Sequence, residues 1–482
     1  MMIVKNRKEE FLSYLEDTSN LKGKADLLYL PEEEQEVVKI VRLCGEKKIP
    51  LTCSGSRTGT VGGCVPYGGA ILSLEKLSKI KDIDPDRRLV TLHPGVRLDN
   101  LESELKKFDL TFKSSPTESL ASIGGAISTS ASGVRGFKYG GIRNYVKKLK
   151  VILIDGTILE ITRGKTFSCK GSFNFSIKGR DFKFSLPSYR MPPVKHSGGY
   201  FVREGMDLID LFIGSEGTLG IVVEATLEVQ KSSQDVFDCI VFFKDEKRAI
   251  NFVEKIKKLK QFDMLDPSSL EFFDTNSLSF LRAVYPHLKE FKSAVYFEQE
   301  VEENYKDTME LWMKAIEDSG ASLDDTWFGD TKKEREKIYE FRHKLPQLVN
   351  EFLKSYNQVK IASDIAVGDS SFREMYRFYK EIGECSKVNY INFGHIGENH
   401  LHFNFLPKND SESQKAKECI LEIVKKALSL GGTVSAEHGI GKLKKSYLEI
   451  MYGKFHIKEM VELKRYFDPN FLLGRGNLFD VE

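Results

Sequence analysis

The sequence has 482 residues, with 72 Lys and Arg against 70 Asp and Glu and 41% hydrophobic residues. This length and composition predict two or three folded domains and exclude a disordered, collagen-like or coiled-coil chain. A formal net charge of +2 argues against a dedicated nucleic-acid binder, and seven scattered cysteines argue against a disulfide framework or an iron–sulfur cluster. The N-terminus lacks the apolar core of a signal peptide, and no segment approaches the roughly 18 apolar residues of a membrane span. We therefore expect a cytoplasmic protein without a transmembrane segment, with peripheral attachment to the inner face of the membrane as the alternative.

The first 230 residues predict short strands and helices around glycine-rich segments. Apolar spacing predicts helices over 31–48 and 98–107 and strands over 49–53, 70–74 and 88–93. The sequence LKVILIDGTILEI at 149–161 predicts two strands joined by an Asp-Gly turn. Strict alternation over 221–229 predicts a half-buried antiparallel strand. The stretch 163–205 shows no lasting period, and we expect a long excursion between strands there.

The composition of the sequence and its predicted elements change near residue 231, where we place a domain boundary. Glycine becomes sparse beyond it, and predicted helices alternate with apolar strands. The predicted helices cover 246–260, 303–317, 332–354, 370–384 and 411–430. The predicted strands cover 236–243, 294–299, 358–367, 388–394 and 400–406.

Three clusters before this boundary combine Gly with Ser and Thr, at 55–63, 122–133 and 214–220. Glycine lets a backbone approach a ligand closely, while free N–H and hydroxyl groups hold phosphate oxygens, and Arg57 adds a charged donor. The fingerprints GxGxxG and GxxxxGK[ST] are missing from the expected places, which disfavours Rossmann and Walker folds. The clusters favour a large phosphate-bearing cofactor, with ordinary turns as the alternative.

Histidines are concentrated near the C-terminus, where GHIGENHLHFN at 394–404 precedes SAEHGIG at 435–441. On a strand, His400, His402 and Asn404 share one face. Two imidazoles and a carboxylate from a distant segment suit Zn²⁺ or a similar divalent ion. The alternative is a group of hydrogen-bonded structural histidines.

The order of four motifs resembles a known family. SGSRTGTVGG, PTESLASIGGAISTSASG, KHSGGY and IGSEGTLGIVVEATLEV together resemble the FAD-binding domain of the vanillyl-alcohol-oxidase-type flavoproteins. Within that superfamily the chain resembles the branch of D-lactate dehydrogenase, the glycolate oxidase subunit and D-2-hydroxyglutarate dehydrogenase. The resemblance implies an α+β fold with a two-subdomain FAD-binding domain over 20–230 and a substrate-binding cap with an antiparallel sheet over 231–430. It also implies a C-terminal segment, 431–482, that returns to the FAD domain.

The same resemblance implies the cofactor contacts. The implied FAD-binding residues are Ser54, Gly55, Ser56, Arg57, Thr58, Gly59, Pro116, Thr117, Ser122, Gly124, Gly125, Ser128, Ser132, Glu216, Gly217, Thr218, Leu219, Gly220 and Ile221. Some relatives carry the flavin covalently on a histidine of the first loop. Because this loop has no His or Cys before Gly63, we expect non-covalent FAD.

The family patterns GHxGDGNxHxN and EHG[IL]G imply the remaining roles. They assign the metal ligands His395, His402 and Glu437, the catalytic base His438 and the substrate contacts Asn404 and Arg342. Zinc is the expected ion, with manganese or iron as alternatives. For Arg342 a solvated helix arginine is the competing interpretation, and Asp364 is expected to be structural support. The family has Asp, Gly and Asn where this sequence has Glu398, Asn399 and His400. This difference leaves two interpretations open, in which His400 is an extra metal ligand or narrows the substrate pocket.

The resemblance therefore implies FAD-dependent oxidation of a D-2-hydroxy acid, of the lactate, glycolate or 2-hydroxyglutarate type, by hydride transfer to flavin N5. The electrons would pass to a quinone, an electron-transfer flavoprotein or a cytochrome, with 163–205 as a candidate docking surface, and we expect a homodimer. One alternative is an enzyme like alkylglycerone-phosphate synthase, because GIGKLKK at 439–445 is similar to a motif of that enzyme. The other is a flavin-binding electron-transfer subunit without chemistry of its own.

Overall fold

A computed structural model describes residues 3–233, 235–301 and 305–481. The chain opens on a four-stranded sheet whose strands are, in spatial order, Ile3–Lys5, Leu27–Leu30, Ala70–Ser73 and Leu51–Ser54. The last three strands are parallel, which requires crossover connections. Helix Glu34–Glu46 provides one of them and buries the apolar face on which its prediction rested.

A second, antiparallel sheet consists of Ile80–Asp84, Leu89–Leu92, Ile221–Glu228, Val146–Ile152 and Ile158–Thr162. The predicted hairpin over 149–161 is present, and Gly156 supplies the left-handed turn residue with a φ of 82°. The strand expected to be half-buried is covered more fully, because Thr226 is buried and its hydroxyl lies 3.0 Å from that of Thr91. Helix Leu98–Leu105 follows this sheet's first two strands.

The third sheet has eight antiparallel strands. In spatial order these are Trp327–Gly329, Asp235–Phe243, Ser293–Val301, Ser269–Phe273, Tyr390–Gly394, His400–Phe405 and Ile361–Ala362, with Ile365–Ala366 paired to His400–Phe405. Its helices are Glu246–Gln261, Thr275–Leu281, Tyr305–Asp318, Lys332–Ser355, Asp369–Ser386 and Asp410–Ser429. The predicted strand 358–367 is in fact two short strands. Residues 303 and 304 of the predicted helix 303–317 lie outside the described ranges.

The stretch 163–205 contains more structure than we expected. Strands Ser172–Ile177 and Arg180–Ser185 form a hairpin that buries Phe173 and Phe182. The ring of Phe184 packs on Tyr466 of helix Lys445–Phe467, with ring centroids 5.0 Å apart. The alternation of Phe with polar residues in FNFSI and FKFS is therefore a strand signal.

The C-terminal segment packs against residues of the first and second sheets and the first glycine cluster. The backbone N–H of Leu51 donates to Leu472 O at 2.7 Å, and the side-chain amide of Asn477 donates to Gly63 O and Glu216 O. The whole is an α+β architecture, as predicted. The shorter helices are Ile123–Ser128, Gly136–Tyr139 and Leu208–Phe212, and Leu110–Thr111 pairs with Gln230–Lys231. No helix in the described part of the chain has the length and apolarity needed to cross a bilayer.

Candidate functional site

The three glycine clusters meet around one cavity of about 300 Å³, which we call the cradle. Seventeen of the nineteen residues expected to contact FAD line it, and Thr218 and Leu219 do not. The Thr218 hydroxyl instead donates to Ser215 O at 2.6 Å, and Leu219 is buried in the core. These two residues anchor the third glycine cluster, 214–220, on the side that faces the core.

The cradle offers free donors where a pyrophosphate needs them. Among the described residues, no backbone carbonyl accepts from the N–H groups of 56–59. A Cβ on Gly55 would lie 2.3 Å from Ser122 Oγ, so only glycine leaves this space open. Ser122 also caps helix Ile123–Ser128 by accepting from Gly125 N–H. The chain therefore fits a nucleotide cofactor at this place.

The guanidinium of Arg57 is engaged by other residues in this structure. Its guanidinium Nη1 lies 3.3 Å from Glu75 Oε2, and its Cζ lies 4.1 Å from the centre of the Tyr14 ring. The expected phosphate contact thus requires a different rotamer.

The histidine motif folds into two strands joined by a tight turn, which brings its imidazoles together. Gly394 ends the first strand with a φ of 118°, and a Cβ there would lie 2.8 Å from the His402 ring. His395, His400, His402 and Glu437 each offer a ligand atom, and these atoms all lie within 4.8 Å of one another. The sequence predicted three of these four residues as metal ligands.

The two oxygens of Glu437 face different partners. Its Oε1 lies 3.3 Å from His395 Nε2, 3.5 Å from His402 Nε2 and 3.4 Å from His438 Nε2. Both Glu437 and His438 also line the cradle. One carboxylate oxygen is therefore surrounded by imidazole nitrogens beside the cofactor space.

The other oxygen, Oε2, is neutralised by a lysine. Lys195 Nζ lies 2.9 Å from Glu437 Oε2 and 2.8 Å from Glu398 Oε2, and its side chain is only 8% exposed. Burial opposes the charged ammonium, but Glu398 and Glu437 raise the pKa of Lys195. Glu398, which differs from the family pattern, therefore pairs with Lys195 of the stretch 163–205 and is not part of the His–Glu cluster.

Arg342 is only partly exposed and is paired with a carboxylate, so the competing interpretation as a solvated helix arginine is wrong. Its side chain is 12% exposed, and Nη2 and Nε donate to Glu271 Oε2 at 2.8 and 3.1 Å. The other oxygen of Glu271 contacts His395 Nδ1. Although burial would raise it, Arg342 and His395 lower the pKa of Glu271 to about 2. Glu271 therefore fixes the His395 ring so that Nε2 faces Glu437.

Asp364 supports the loop that carries His438, consistent with the structural role predicted for it. It accepts from Lys444 Nζ at 2.7 Å, from Ser435 Oγ at 2.8 Å and from the backbone N–H of His438 at 3.0 Å. Its carboxylate also lies 3.4 Å from His438 Nδ1. The ring of His438 thus has one nitrogen toward Asp364 and the other toward the cluster.

The imidazoles differ in charge. Burial lowers the pKa of His438, and it lowers that of His402 far below its usual range, so both rings are neutral at pH 7. Burial also acts on His395, but the charges of Glu271 and Glu437 raise its pKa to about 9. A neutral ring keeps the lone pair that a metal ligand or a general base needs, so His402 and His438 already have it, whereas His395 must lose a proton before it binds a metal ion.

His400 has buried nitrogens without a hydrogen bond among the described residues. Its Nε2 lies 3.0 Å from Asp364 Oδ1, and its Nδ1 lies 3.9 Å from Glu437 Oε2, beyond hydrogen-bond distance. An unsatisfied buried nitrogen carries a free-energy cost that a bound cation would remove. The donor set fits a divalent ion.

Glu216 joins the cradle to the His438 loop. Its carboxylate accepts from the backbone N–H groups of Ile440 and Gly441, both at 2.7 Å, and its own N–H donates to Ser128 O at 2.8 Å. Burial raises the pKa of Glu216 to about 7. Asn404, predicted to contact substrate, donates to His402 O at 3.0 Å and is buried.

Sequence reasoning missed Lys195 and Glu271. Lys195 lies in KHSGGY, in a stretch without periodicity. Glu271 is the one charged residue of the strand Ser269–Phe273, and a lone carboxylate inside an apolar strand is rarely buried without a partner. That contrast is a signal that could have found it.

Known proteins resemble this chain over nearly all of its length. Residues 25–162 match the family described as "FAD binding domain", and residues 238–478 match "FAD linked oxidases, C-terminal domain". The D-lactate dehydrogenase of Anaerostipes hadrus is 30% identical over 474 residues, covering 95% of this chain and 90% of the relative. The glycolate oxidase subunit GlcD of Bacillus subtilis (strain 168) is 28% identical over 468 residues, covering 96% and 90%. Among solved structures, alkyldihydroxyacetonephosphate synthase matches with a TM-score of 0.68 and 17% identity, covering 98% of this chain and 81% of that one.

Proposed function

Since the chain belongs to the family of FAD-linked oxidases and is an FAD-dependent dehydrogenase, we propose that it oxidises a D-2-hydroxy acid to the 2-oxo acid with the help of a divalent metal ion. The substrate is of the lactate, glycolate or 2-hydroxyglutarate type, which agrees with the names of the relatives. The observation that carries this proposal is the position of Glu437. Its Oε1 lies within 3.5 Å of three imidazole nitrogens, in the wall of the cradle.

In this proposal, residues of the chain itself bind each component. FAD would lie non-covalently in the cradle, and His395, His402 and Glu437 would hold the ion, with zinc first and manganese or iron as alternatives. When bound, the flavin supplies a hydride acceptor at N5 and the ion lowers the pKa of the substrate hydroxyl. His400, whose Nδ1 lacks a hydrogen bond, is available as a fourth ligand.

His438 acts as the general base in this proposal. Its neutral ring accepts the hydroxyl proton at Nε2 while the C2–H bond breaks and the carbonyl forms. Asp364 holds the ring from the Nδ1 side, at 3.4 Å. Arg342 keeps Nη1 free of carboxylates, because Glu271 occupies only Nε and Nη2, and that edge would bind the substrate carboxylate. Asn404 would approach the substrate from the same strand as His402.

A substrate panel tests the proposal. The metal-loaded holoprotein is mixed without oxygen with D-lactate, glycolate and D-2-hydroxyglutarate, and loss of flavin absorbance is followed. Reduction by at least one D-acid, and not by its L-enantiomer where one exists, is expected. Failure with all three, with FAD and metal both bound, would contradict it.

Gly55→Ala is expected to weaken FAD binding about tenfold or more. The new methyl group would meet Ser122 Oγ at 2.3 Å, and moving that serine disturbs the cap of helix Ile123–Ser128. Titration of metal-free apoprotein with FAD, followed by flavin fluorescence, measures the change. Gly368→Ala is the matched control, because a Cβ there meets no atom within 4 Å. Equal affinities of the two variants would contradict the role of Gly55.

Lys195→Met is expected to destabilise the metal-free protein by about 3 kcal/mol. The change leaves Glu398 and Glu437 as buried carboxylates without their cation. Thermal unfolding should therefore begin several degrees lower, and saturating Zn²⁺ should restore more stability to the variant than it adds to the wild type. Lys178→Met is the control, because Lys178 is 63% exposed in its ion pair with Glu160. A melting temperature equal to that of the control would show that the lysine does not balance these charges.

The two alternatives have specific observations against them. Two of the three lysines of GIGKLKK are engaged inside the chain, with Lys442 Nζ at 2.5 Å from Asn477 Oδ1 and Lys444 Nζ at 2.7 Å from Asp364 Oδ2. They are not free to bind a substrate phosphate, as an enzyme like alkylglycerone-phosphate synthase would need. A flavin-binding subunit without its own chemistry would have no use for an assembled His–Glu cluster.

The proposal also includes the domain division, the oligomeric state and the electron acceptor. We retain the division into 20–230, 231–430 and 431–482, a homodimer, and a quinone, electron-transfer flavoprotein or cytochrome as electron acceptor. The acceptor would dock on the stretch 163–205.

A further inference from the structure

The stretch 163–205 differs in charge from the rest of the chain. It contains nine Lys and Arg residues but only two acidic residues, Asp181 and Glu204. The chain as a whole is nearly balanced, so the residues outside this stretch carry a surplus of acidic side chains. The proposed reaction involves only Lys195 of this stretch and does not account for the other positive charges.

Four of the nine cations are balanced by carboxylates within 4.0 Å. The pairs are Arg163 with Asp210, Lys178 with Glu160, Arg180 with Asp155 and Lys195 with Glu398. The other five side chains are exposed, and none has a carboxylate within that distance in the part of the chain that the structure describes. We call these five the basic face, which consists of Lys165, Lys170, Lys183, Arg190 and Arg203.

Backbone pairing brings three cations of the basic face together near Phe167. The backbone N–H of Ser168 donates to Met206 O at 2.9 Å, so the segment 165–170 runs beside the segment 203–208. These two segments carry three of the five cations. The side chain of Phe167 is 56% exposed. An exposed aromatic ring among cations is typical of residues that anchor a protein–protein interface.

The same stretch forms much of the wall of a cavity of about 800 Å³, which we call the basic cavity. At one end of it, Arg143 and Arg163 share the single carboxylate of Asp210. The guanidinium carbons of Arg143 and Arg203 lie 4.1 and 5.2 Å from the centre of the Phe201 ring. This end therefore holds three positive charges against one negative charge, and an incoming carboxylate would reduce the imbalance.

The basic cavity extends to the cradle. Ser132 lines both cavities. The other carboxylates in the lining, those of Asp369 and Glu398, are already paired with Lys257 and Lys195. A partner that covers the basic face would thus lie beside the cofactor space, and these carboxylates would not repel it as free charges.

A bilayer surface would fit this arrangement less well than an acidic protein. Phe167 is the only large apolar side chain exposed within 163–205, all of which the structure describes, whereas a membrane-surface segment needs a broader apolar face. A flat lipid surface also cannot reach guanidinium groups inside a cavity. A carboxylate that projects from a protein can reach them and can pair with Arg in a bidentate manner.

We propose that the basic face and the basic cavity bind an acidic redox protein, which accepts the electrons of the reduced flavin. This inference rests on the proposed function, because it concerns the second half of the same reaction. It narrows the electron acceptor from three classes to a protein with a negatively charged docking surface and disfavours an uncharged quinone.

The test compares two one-electron carriers of opposite charge, plastocyanin, which is acidic, and mitochondrial cytochrome c, which is basic. The holoprotein is reduced by stoichiometric dithionite without oxygen and mixed with either oxidised carrier. Two carrier molecules each take one electron, and the reduced flavin releases a proton as it is reoxidised. The second-order rate constant of reoxidation is measured at low and at high salt.

The sign of the salt dependence is the readout, because the two carriers differ in reduction potential. We expect the rate constant for plastocyanin to fall about tenfold or more from low to high salt, since salt screens the attraction. The rate constant for cytochrome c should rise, since salt screens a repulsion. A rate constant for plastocyanin that is independent of salt, or that rises with it, overturns the inference.

A double variant, Lys165→Glu with Arg203→Glu, tests the basic face itself. It should lower the rate constant for plastocyanin at low salt about tenfold or more. The control is Lys415→Glu with Lys417→Glu, which changes the net charge equally on exposed positions of helix Asp410–Ser429. The control should keep most of the wild-type rate constant. Equal losses in both double variants would show that net charge alone acts and would contradict the proposal.

Binding is also measured apart from electron transfer. Labelled plastocyanin is titrated with the oxidised holoprotein, and its fluorescence anisotropy should report an affinity that Lys165→Glu with Arg203→Glu weakens about tenfold or more. An unchanged affinity overturns the inference. Co-sedimentation of the wild type with phosphatidylglycerol vesicles at high salt, lost in this variant, would assign the face to a membrane and overturn it as well.

Chemical reduction of the flavin separates this inference from the proposed function. Reoxidation by plastocyanin does not require any hydroxy acid to react. The expected salt dependence, together with failure of every acid in the substrate panel, would count against the proposed function and support the docking surface. Reduction by a D-2-hydroxy acid without the expected salt dependence would leave the proposed function standing and overturn the inference.

Discussion

His438→Ala is expected to slow flavin reduction by substrate about 1,000-fold, within the 10²–10⁴ range of general-base catalysis. The ring lies in the wall of the cradle, with Nε2 3.4 Å from Glu437 Oε1. Burial lowers its pKa, so that it is a ready proton acceptor at pH 7. The variant should remain yellow, because the cradle itself is unchanged. Anaerobic stopped-flow spectroscopy measures the rate, and the flavin absorbance before mixing reports bound FAD.

The control for this variant is His456→Ala. His456 Nδ1 lies 2.8 Å from Glu459 Oε2, within its own helix Lys445–Phe467 and outside the cradle. This variant should reduce its flavin at the wild-type rate. Full-rate reduction by His438→Ala as well would remove His438 from the role of base.

Glu437→Gln is expected to lower the metal affinity more than 100-fold and leave FAD bound. The substitution keeps the size of the side chain but removes the charge that three imidazole nitrogens surround. The amide also loses the ion pair with Lys195. Elemental analysis after dialysis against a known Zn²⁺ concentration gives the metal content, and absorbance gives the flavin content.

Glu449→Gln provides the matched comparison for this loss of charge. Glu449 is exposed on helix Lys445–Phe467, so its variant should keep wild-type metal content. If Glu437→Gln keeps it too, then Glu437 is not a ligand. Loss of FAD together with metal would instead indicate a folding defect.

The cradle could be predicted from the sequence because glycine, serine and threonine act locally. A loop that must expose N–H groups and approach a ligand requires these residues wherever it lies in the fold. The exceptions, Thr218 and Leu219, lie between cradle residues in sequence, but the turn at Gly217, with a φ of 69°, directs them into the core. A turn of this kind changes which side of the chain faces the ligand, and composition alone does not reveal it.

The partners of the histidine cluster could not be predicted in the same way. Glu271 and Arg342 are 71 residues apart in sequence, and Lys195 and Glu437 are still farther apart. Their pairing depends on how sheets and helices pack, which no local pattern encodes. The strand face of His400, His402 and Asn404, by contrast, followed directly from the two-residue period of a strand.

The hydrogen bonds of Glu216 to Ile440 and Gly441 set limits on recombination between relatives. A chimaera that exchanges an internal segment for that of another family member must place its crossover points so that these hydrogen bonds are kept. A crossover that keeps 214–220 from one parent and takes 437–441 from the other would combine the carboxylate of one protein with the backbone N–H groups of another. These groups did not evolve together, so their geometry need not match. An exchange whose two crossover points both lie between residues 220 and 437 leaves both segments with the same parent and preserves these hydrogen bonds.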